Sequence, residues 1–165
     1  MRHHFSSRAA GAKRSPIREL LKLTEQPDII SFGGGLPAPE TFPHEELAAI
    51  AQELLLKEPH NVLQYGTTEG SRTLRTEVAK WLSDQDIHVT LNDLLVTSAS
   101  QQGLDLICKA FFDPGDVIFC GLPTYLGAVQ AFGLFQITKI GVPLEDDGMN
   151  IDELESRIVA ARREG

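Results

Sequence analysis

The spacing of apolar positions changes character partway along the chain. In the first half they recur at helical intervals. Ile17, Leu20, Leu21 and Leu23 follow Ser15-Pro16, an N-cap candidate with proline at the first helical position, and predict a short helix. Residues 29–32 read as a brief extended segment, and Gly33 to Pro39 as irregular chain. Pro43 opens a second predicted helix that runs through Lys57, and a turn-rich stretch follows around Tyr65-Gly66-Thr67-Thr68. A third helix is predicted from Glu69 to Ser83, burying Leu74, Val78, Trp81 and Leu82 at helical spacing.

From Asp93 the pattern becomes short apolar runs alternating with helical stretches. Leu94 to Thr97, Val117 to Cys120 and Ile137 to Val142 read as strands, and Gln101 to Phe112 and Thr124 to Leu134 as the helices between them. Asn150 is placed to cap a last helix with Glu153 at its third position, a capping-box arrangement. This alternation predicts an α/β layer with crossover connections. Residues 117–138 form 22 positions without a charge, a length that could cross a bilayer. Gly121, Pro123, Gly127, Gln130, Gly133 and Gln136 punctuate the stretch, so it reads instead as strand, turn, helix and the start of another strand.

Composition narrows the function classes. A chain of 165 residues, 42% hydrophobic and 23% charged, fits a soluble globular domain. The net charge of -8 argues against nucleic acid or an anionic membrane as a partner. The charge is uneven, because residues 1–22 carry Arg2, Arg8, Lys13, Arg14, Arg18 and Lys22 against the single acid Glu19. That basic start has no apolar run and is not a secretory signal. Cys108 and Cys120 show neither CxxC nor zinc spacing, so a reducing cytoplasm is the expected compartment. The five histidines have no metal-ligand spacing and pair with no nucleophile, so no metal site is expected. Glu45-Glu46 and Asp146-Asp147 adjoin helix starts or turns, where solvated charge accounts for them.

Open α/β sheets bind ligands beyond the carboxyl ends of their strands, and anions are favoured at the following helix N-terminus. Ser98-Ala99-Ser100-Gln101-Gln102 occupies that place and can offer amides and hydroxyls to a phosphate. A plain serine cap on the helix is the other reading of the same residues. Tyr125 follows the second predicted strand, where a ring can stack on a flat heteroaromatic ligand or simply pack at a helix start. The glycines at 33–35 fit neither the dinucleotide fingerprint nor the Walker spacing and read as a turn.

Taken together, residues 15–142 resemble the N-terminal part of fold-type I pyridoxal phosphate enzymes of the class I/II aminotransferase family. The subgroup acting on 2-aminoadipate, kynurenine and related amino acids is the nearest. The likeness rests on three ordered segments, SPIRELLKLTEQPDIISFGGGLPAPETFP, LQYGTTEGSRTLRTEVAKWL and VTSASQQGLDLICKAFFDPGDVIFCGLPTYLGAVQAF, and on the spacing between them. It implies a three-layer α/β/α PLP-transferase-like large domain, incomplete, with the N-terminal arm and the first three strands of the sheet. Residues 1–42 would form the arm and substrate-side loop, and residues 43–165 a partial cofactor-binding large domain.

The cofactor so implied is pyridoxal 5'-phosphate. By position, Ser100 and Gln101 are similar to the residues that hold its phosphate, and Tyr125 to the ring that stacks on its pyridine face. Gly35 matches a position near the substrate carboxylate, where a missing side chain lets backbone approach ligand. Tyr65 matches a tyrosine that reaches the phosphate of the neighbouring subunit, which implies a homodimer with shared sites. Ala99 departs from the family, which usually has glycine there.

Such enzymes bind the cofactor as a Schiff base to a lysine, with a carboxylate on the pyridinium nitrogen. The six lysines (Lys13, Lys22, Lys57, Lys80, Lys109 and Lys139) stand outside any Ser-x-Ser-Lys context, so no catalytic residue is assigned. The resemblance therefore implies an N-terminal fragment of an enzyme that moves an amino group between an amino acid and a 2-oxo acid, inactive alone. In the family's sheet the strand at Leu94 to Thr97 is separated from the next two by strands from later in the chain. Unpaired edges are therefore expected. The alternative is a non-catalytic remnant that dimerises or binds a phosphate-bearing ligand. The effector domain of a transcription regulator fits less well, because only about 30 residues precede the glycine run and the body is acidic.

Overall fold

The computed structural model describes residues 4–10, 28–29 and 35–164. They fall into two compact units, Met1–Arg18 with Ser98–Gly165, and Glu19–Thr97. The helix expected after Ser15 and all but Ile29 of the extended segment at 29–32 lie outside the described residues.

The first unit is an α/β layer. Strands β1 (Val117–Leu122) and β2 (Thr138–Glu145) pair in parallel, from Val117 opposite Thr138 to Leu122 opposite Pro143. Two parallel neighbours need a crossover, and helix α6 (Leu126–Leu134) is that crossover. A short strand β3 (Gly148–Met149) folds back antiparallel on the end of β2, giving the order β1-β2-β3. Helix α5 (Ala99–Phe111) precedes β1 and helix α7 (Ile151–Glu164) follows β3.

The core of this unit gathers where α5, α6 and β2 meet. Cys108, Phe132, Phe135 and Ile137 are buried together, with Leu104, Phe112, Ile118 and Ala128 packed against them. The end of α6 delivers Ile137 into this cluster through a Schellman closure. The Ile137 amide donates to the Phe132 carbonyl at 3.0 Å, the Gln136 amide to the Gly133 carbonyl at 3.1 Å, and Gln136 takes the left-handed φ of +60°. Helix α1 (Ser7–Ala10) lies on the same end, with the Arg8 guanidinium 4.6 Å from the Phe135 ring centre.

The predicted cap on α7 forms only in part. Asn150 Oδ1 accepts from the Glu153 amide at 2.7 Å, as expected. The Glu153 carboxylate does not return to Asn150; it accepts from Arg157 Nη2 at 2.7 Å and Nε at 2.9 Å, and the Asn150 amide donates to the Pro143 carbonyl. A guanidinium one turn away offers the carboxylate two hydrogen bonds between opposite charges, against the single amide bond of a capping box.

The second unit is helical among its described residues. Helices α2 (His44–Lys57), α3 (Pro59–Val62) and α4 (Arg72–Ser83) are joined by turns, with 3-10 turns at Pro39–Thr41 and Leu91–Asp93. Ser71 caps α4 by accepting from the Leu74 amide. Asp93 accepts from the Thr90 hydroxyl and amide, both at 2.7 Å, and these bonds hold its carboxyl below the usual carboxylate range.

Two expectations fail in this unit. Leu94 to Thr97 is not a strand: Leu94 is extended and the Val96 amide donates to the Glu69 carbonyl at 3.0 Å, but the segment joins no sheet among the described residues. An apolar run becomes a strand only where another strand lies beside it, and none pairs here among the described residues. The stripe on α4 is also less covered than its spacing suggests, for Leu74 is 47% and Trp81 63% exposed. Periodicity makes the helix amphipathic; burial needs a facing element as well. Among the described residues no helix is long and apolar enough to cross a membrane, and residues 117–138 divide into β1, turn, α6 and the start of β2.

Candidate cofactor-phosphate site

Two helix starts in the first unit hold the candidate residues. At the first, Ser98 is the N-cap of α5, Ala99 its opening residue with a left-handed φ of +63°, and Ser100 and Gln101 follow in the first turn. The serine-cap reading is not what the structure shows for Ser98, the N-cap residue, because its side chain makes no capping hydrogen bond. The Gln102 side chain instead reaches back to accept from the Ser98 amide. Ser98 and Ser100 thus sit exposed at the positive end of a 13-residue helix, and the Ser98 hydroxyl is not used to cap it.

The second helix start follows β1. Beyond Leu122 the chain passes through a cis Leu122-Pro123 peptide to Tyr125, the N-cap of α6. The Tyr125 side chain curls over its own helix. A Cβ built on Gly127 would lie 2.6 Å from the ring's Cζ and 2.7 Å from Cε1 and Oη. The residue nonetheless remains 62% exposed. Gln101 Nε2 donates to the Gly127 carbonyl at 3.4 Å and so ties the two helix starts together.

Ser100, Gln101 and Tyr125 therefore share one unit and one neighbourhood. Gly35 and Tyr65 belong to the other unit. Gly35 has φ of +58° with nothing within 4 Å of where a Cβ would stand, so conformation rather than crowding calls for glycine there. Tyr65 is 98% exposed, and its amide donates to Gln64 Oε1 at 2.8 Å. Sequence reasoning missed Gly127, although a glycine two residues after an aromatic helix cap was a usable signal.

Lys109 and Lys139, in the same unit as the candidate site, stand away from these helix starts. Lys109, near the far end of α5, pairs with Asp105 one turn back. Lys139 is the second residue of β2, opposite Ile118 at the strand end remote from Tyr125, and donates to the Ile137 carbonyl at 3.2 Å. In the other unit Lys57 pairs with Glu53 and Lys80 with Glu77 on their own helices, while Lys13 and Lys22 lie outside the described residues. No group of three or more metal-ligating side chains occurs among the described residues. A helix start with two exposed hydroxyls, tied to a second start that carries an exposed ring, suits a phosphorylated heteroaromatic molecule.

Residues 27–164 match the family model for aminotransferase class I and II. The chain is 48% identical, over 98% of its length, to aromatic-amino-acid aminotransferase 1 of Thermococcus litoralis, of which it covers 39%. It is 44% identical, over 92% of its length, to 2-aminoadipate transaminase of Thermus thermophilus, of which it covers 37%. Its fold matches the crystal structure of Pyrococcus horikoshii kynurenine aminotransferase, solved in complex with PMP, KYN and KYA. The TM-score is 0.88 at 43% identity, over 98% of this chain and 40% of that one. The chain spans about two fifths of the length of the relatives it matches. Its α/β architecture and sequence together place it: the chain belongs to the class I and II aminotransferase family.

Proposed function

We propose that this chain is the phosphate- and ring-holding part of a pyridoxal 5'-phosphate-dependent aminotransferase, an enzyme that moves an amino group between an amino acid and a 2-oxo acid. The observation that carries the reading is the Gln101 to Gly127 link, which sets the serine-bearing start of α5 beside the ring-bearing start of α6. Ser100 binds the phosphate through its hydroxyl, and the Ser100 and Gln101 amides complete the cradle at the helix's positive end. Tyr125 lies against the pyridine ring and keeps water from that face. When bound, the cofactor acts as the electron sink for bond breaking at the substrate's α-carbon. Gly35 leaves room for the substrate carboxylate, and Tyr65 reaches the phosphate held by a second copy, in a cytoplasmic homodimer. Amino acids of the 2-aminoadipate, kynurenine and aromatic type are the substrates of the complete enzyme.

The lysine that would anchor the cofactor is not among the six in this chain, and the chain alone is inactive. Titration with pyridoxamine 5'-phosphate, whose amine cannot condense with surface lysines, tests the binding half of the proposal. Ser100→Ala and Tyr125→Ala should each weaken binding; equal affinity in both variants and the parent overturns the assignment. Mixing the purified chain with pyridoxal 5'-phosphate, an amino acid and 2-oxoglutarate tests the other half. Sustained glutamate formation there refutes the inactivity.

A further inference from the structure

The geometry points to Gly127 as the positioning residue of this site: its missing side chain and its carbonyl together fix where the Tyr125 ring lies relative to the start of α5. The inference rests on the reading of Tyr125 as the ring-stacking residue, and it assigns a function to a residue that touches no ligand itself.

Gly127 is the second residue of α6, a nine-residue apolar helix. Glycine is a poorer helix former than alanine, so its presence there calls for a reason. Conformation is not the reason, for Gly127 is not among the residues with positive φ. Space is: a Cβ would stand 2.6 to 2.7 Å from Cζ, Cε1 and Oη of Tyr125. Gly133 in the same helix gives the contrast, since the nearest atom to its Cβ would be Lys139 Nζ at 3.8 Å, an ordinary contact. The crowding is thus specific to the residue under the ring.

The atoms that a Cβ would meet belong to the far end of an exposed side chain. An alanine at 127 therefore displaces the ring and leaves the helix intact. The Gly127 carbonyl, meanwhile, accepts from Gln101 Nε2. The ring's resting place and the phosphate-side helix are in this way referenced to the same peptide. A displaced ring keeps the phosphate cradle but loses its register with a heteroaromatic ring bound beside it.

The test uses the full chain, pyridoxamine 5'-phosphate as the probe, and the variants Gly127→Ala, Gly133→Ala, Tyr125→Ala and the Gly127→Ala/Tyr125→Ala pair. In the parent, the Gly127 α-protons should show an upfield ring-current shift and cross-peaks to the Tyr125 ring, both absent in Tyr125→Ala. Gly127→Ala should melt no lower than the parent, like Gly133→Ala, yet bind the probe roughly three- to tenfold more weakly, the worth of one stacked aromatic pair. In the Tyr125→Ala background the same substitution should change nothing further, and Gly133→Ala should bind as the parent does. If Tyr125→Ala weakens binding while Gly127→Ala does not, the positioning role is overturned and the stacking role stands. If Tyr125→Ala binds as tightly as the parent, or the parent binds no probe, the stacking reading falls and takes this inference with it. A marked loss of melting temperature in Gly127→Ala but not in Gly133→Ala makes Gly127 a structural residue and also overturns it.

Discussion

Gly70 lies so close to Val96 that a Cβ on Gly70 would stand 2.5 Å from the Val96 Cβ. Gly70 also holds a φ of +89°, and its carbonyl accepts from both the Thr67 hydroxyl and Arg75 Nε. The next bond in this junction runs from the Val96 amide to the Glu69 carbonyl. The turn before α4 therefore meets the segment 94–97 at Val96, by a hydrogen bond and by close packing.

Gly70→Ala should be one of the costlier single changes in the chain. The new methyl meets a branched Cβ, which cannot swing away, and the backbone is left-handed as well. We expect a loss of at least about 2 kcal/mol, from crowding and strain together. Gly66→Ala is the control, since nothing lies within 4 Å of its Cβ and its φ is not positive. Equal urea midpoints for the two variants refute the claim that Gly70 is sterically required.

Ala99 is the converse case, a side chain where the backbone asks for none. Its φ of +63° places a methyl in a conformation that carries a penalty of about 1 to 2 kcal/mol for residues with a Cβ. Glycine removes that strain but widens the unfolded ensemble, so the net gain for Ala99→Gly should be up to about 1 kcal/mol. Thermal unfolding reads the result directly; a lower melting temperature than the parent's contradicts the strain assignment.

The residues at 99 and 94–97 show where sequence reading reached and where it stopped. The departure at Ala99 was visible as a residue type, yet only the backbone shows that the departure is paid in φ. The helices were legible because 3.6-residue periodicity and their caps are local properties: His44–Lys57 and Ile151–Glu164 lie where the spacing put them. The parallel pair β1 and β2 was legible because its crossover helix lies within the same stretch of chain. Leu94 to Thr97 was not, because a strand is defined by a neighbour that local sequence does not contain. Trp81 fails for the same reason, as its helix forms while no element covers the ring among the described residues. At the candidate site, Ser100, Gln101 and Tyr125 were found as residue types at helix starts. Gly127 was not, because its importance lies in an atom it lacks and in a ring two residues away.

Arg157 fastens α7 to the sheet. Its Nη1 donates to the Gly141 carbonyl in β2, while Nε and Nη2 hold Glu153 one turn back. Removing the guanidinium with Arg157→Met leaves a strand carbonyl without this donor and should cost about 1 to 3 kcal/mol. Glu153→Gln removes only the charge of a part-exposed pair and should cost less than about 1 kcal/mol. Chemical denaturation of both variants settles the order. A larger loss for Glu153→Gln would mean that the ion pair, rather than the bond to β2, is what matters.

Cys108 should make the chain's stability fall in alkali. The residue is 0% exposed, among Phe132, Phe135 and Ile137, and burial pushes its thiol above the ordinary range, with Asp105 on the same helix adding to the rise. An unfolded chain releases this proton at the ordinary thiol pKa, whereas the folded chain keeps it to higher pH. The folded state thus binds more protons in that window. The contribution is whole below the unfolded thiol's pKa and is lost as pH rises through the folded value. Cys108→Ala removes the group and with it this part of the pH dependence. The stability difference between parent and variant should therefore shrink from neutral pH into the alkaline range. Alkylation gives an independent reading, since under native conditions Cys108 should react only as fast as the chain opens. A stability difference that stays constant with pH, together with rapid labelling of Cys108 in the folded chain, would show that the thiol is neither desolvated nor shielded.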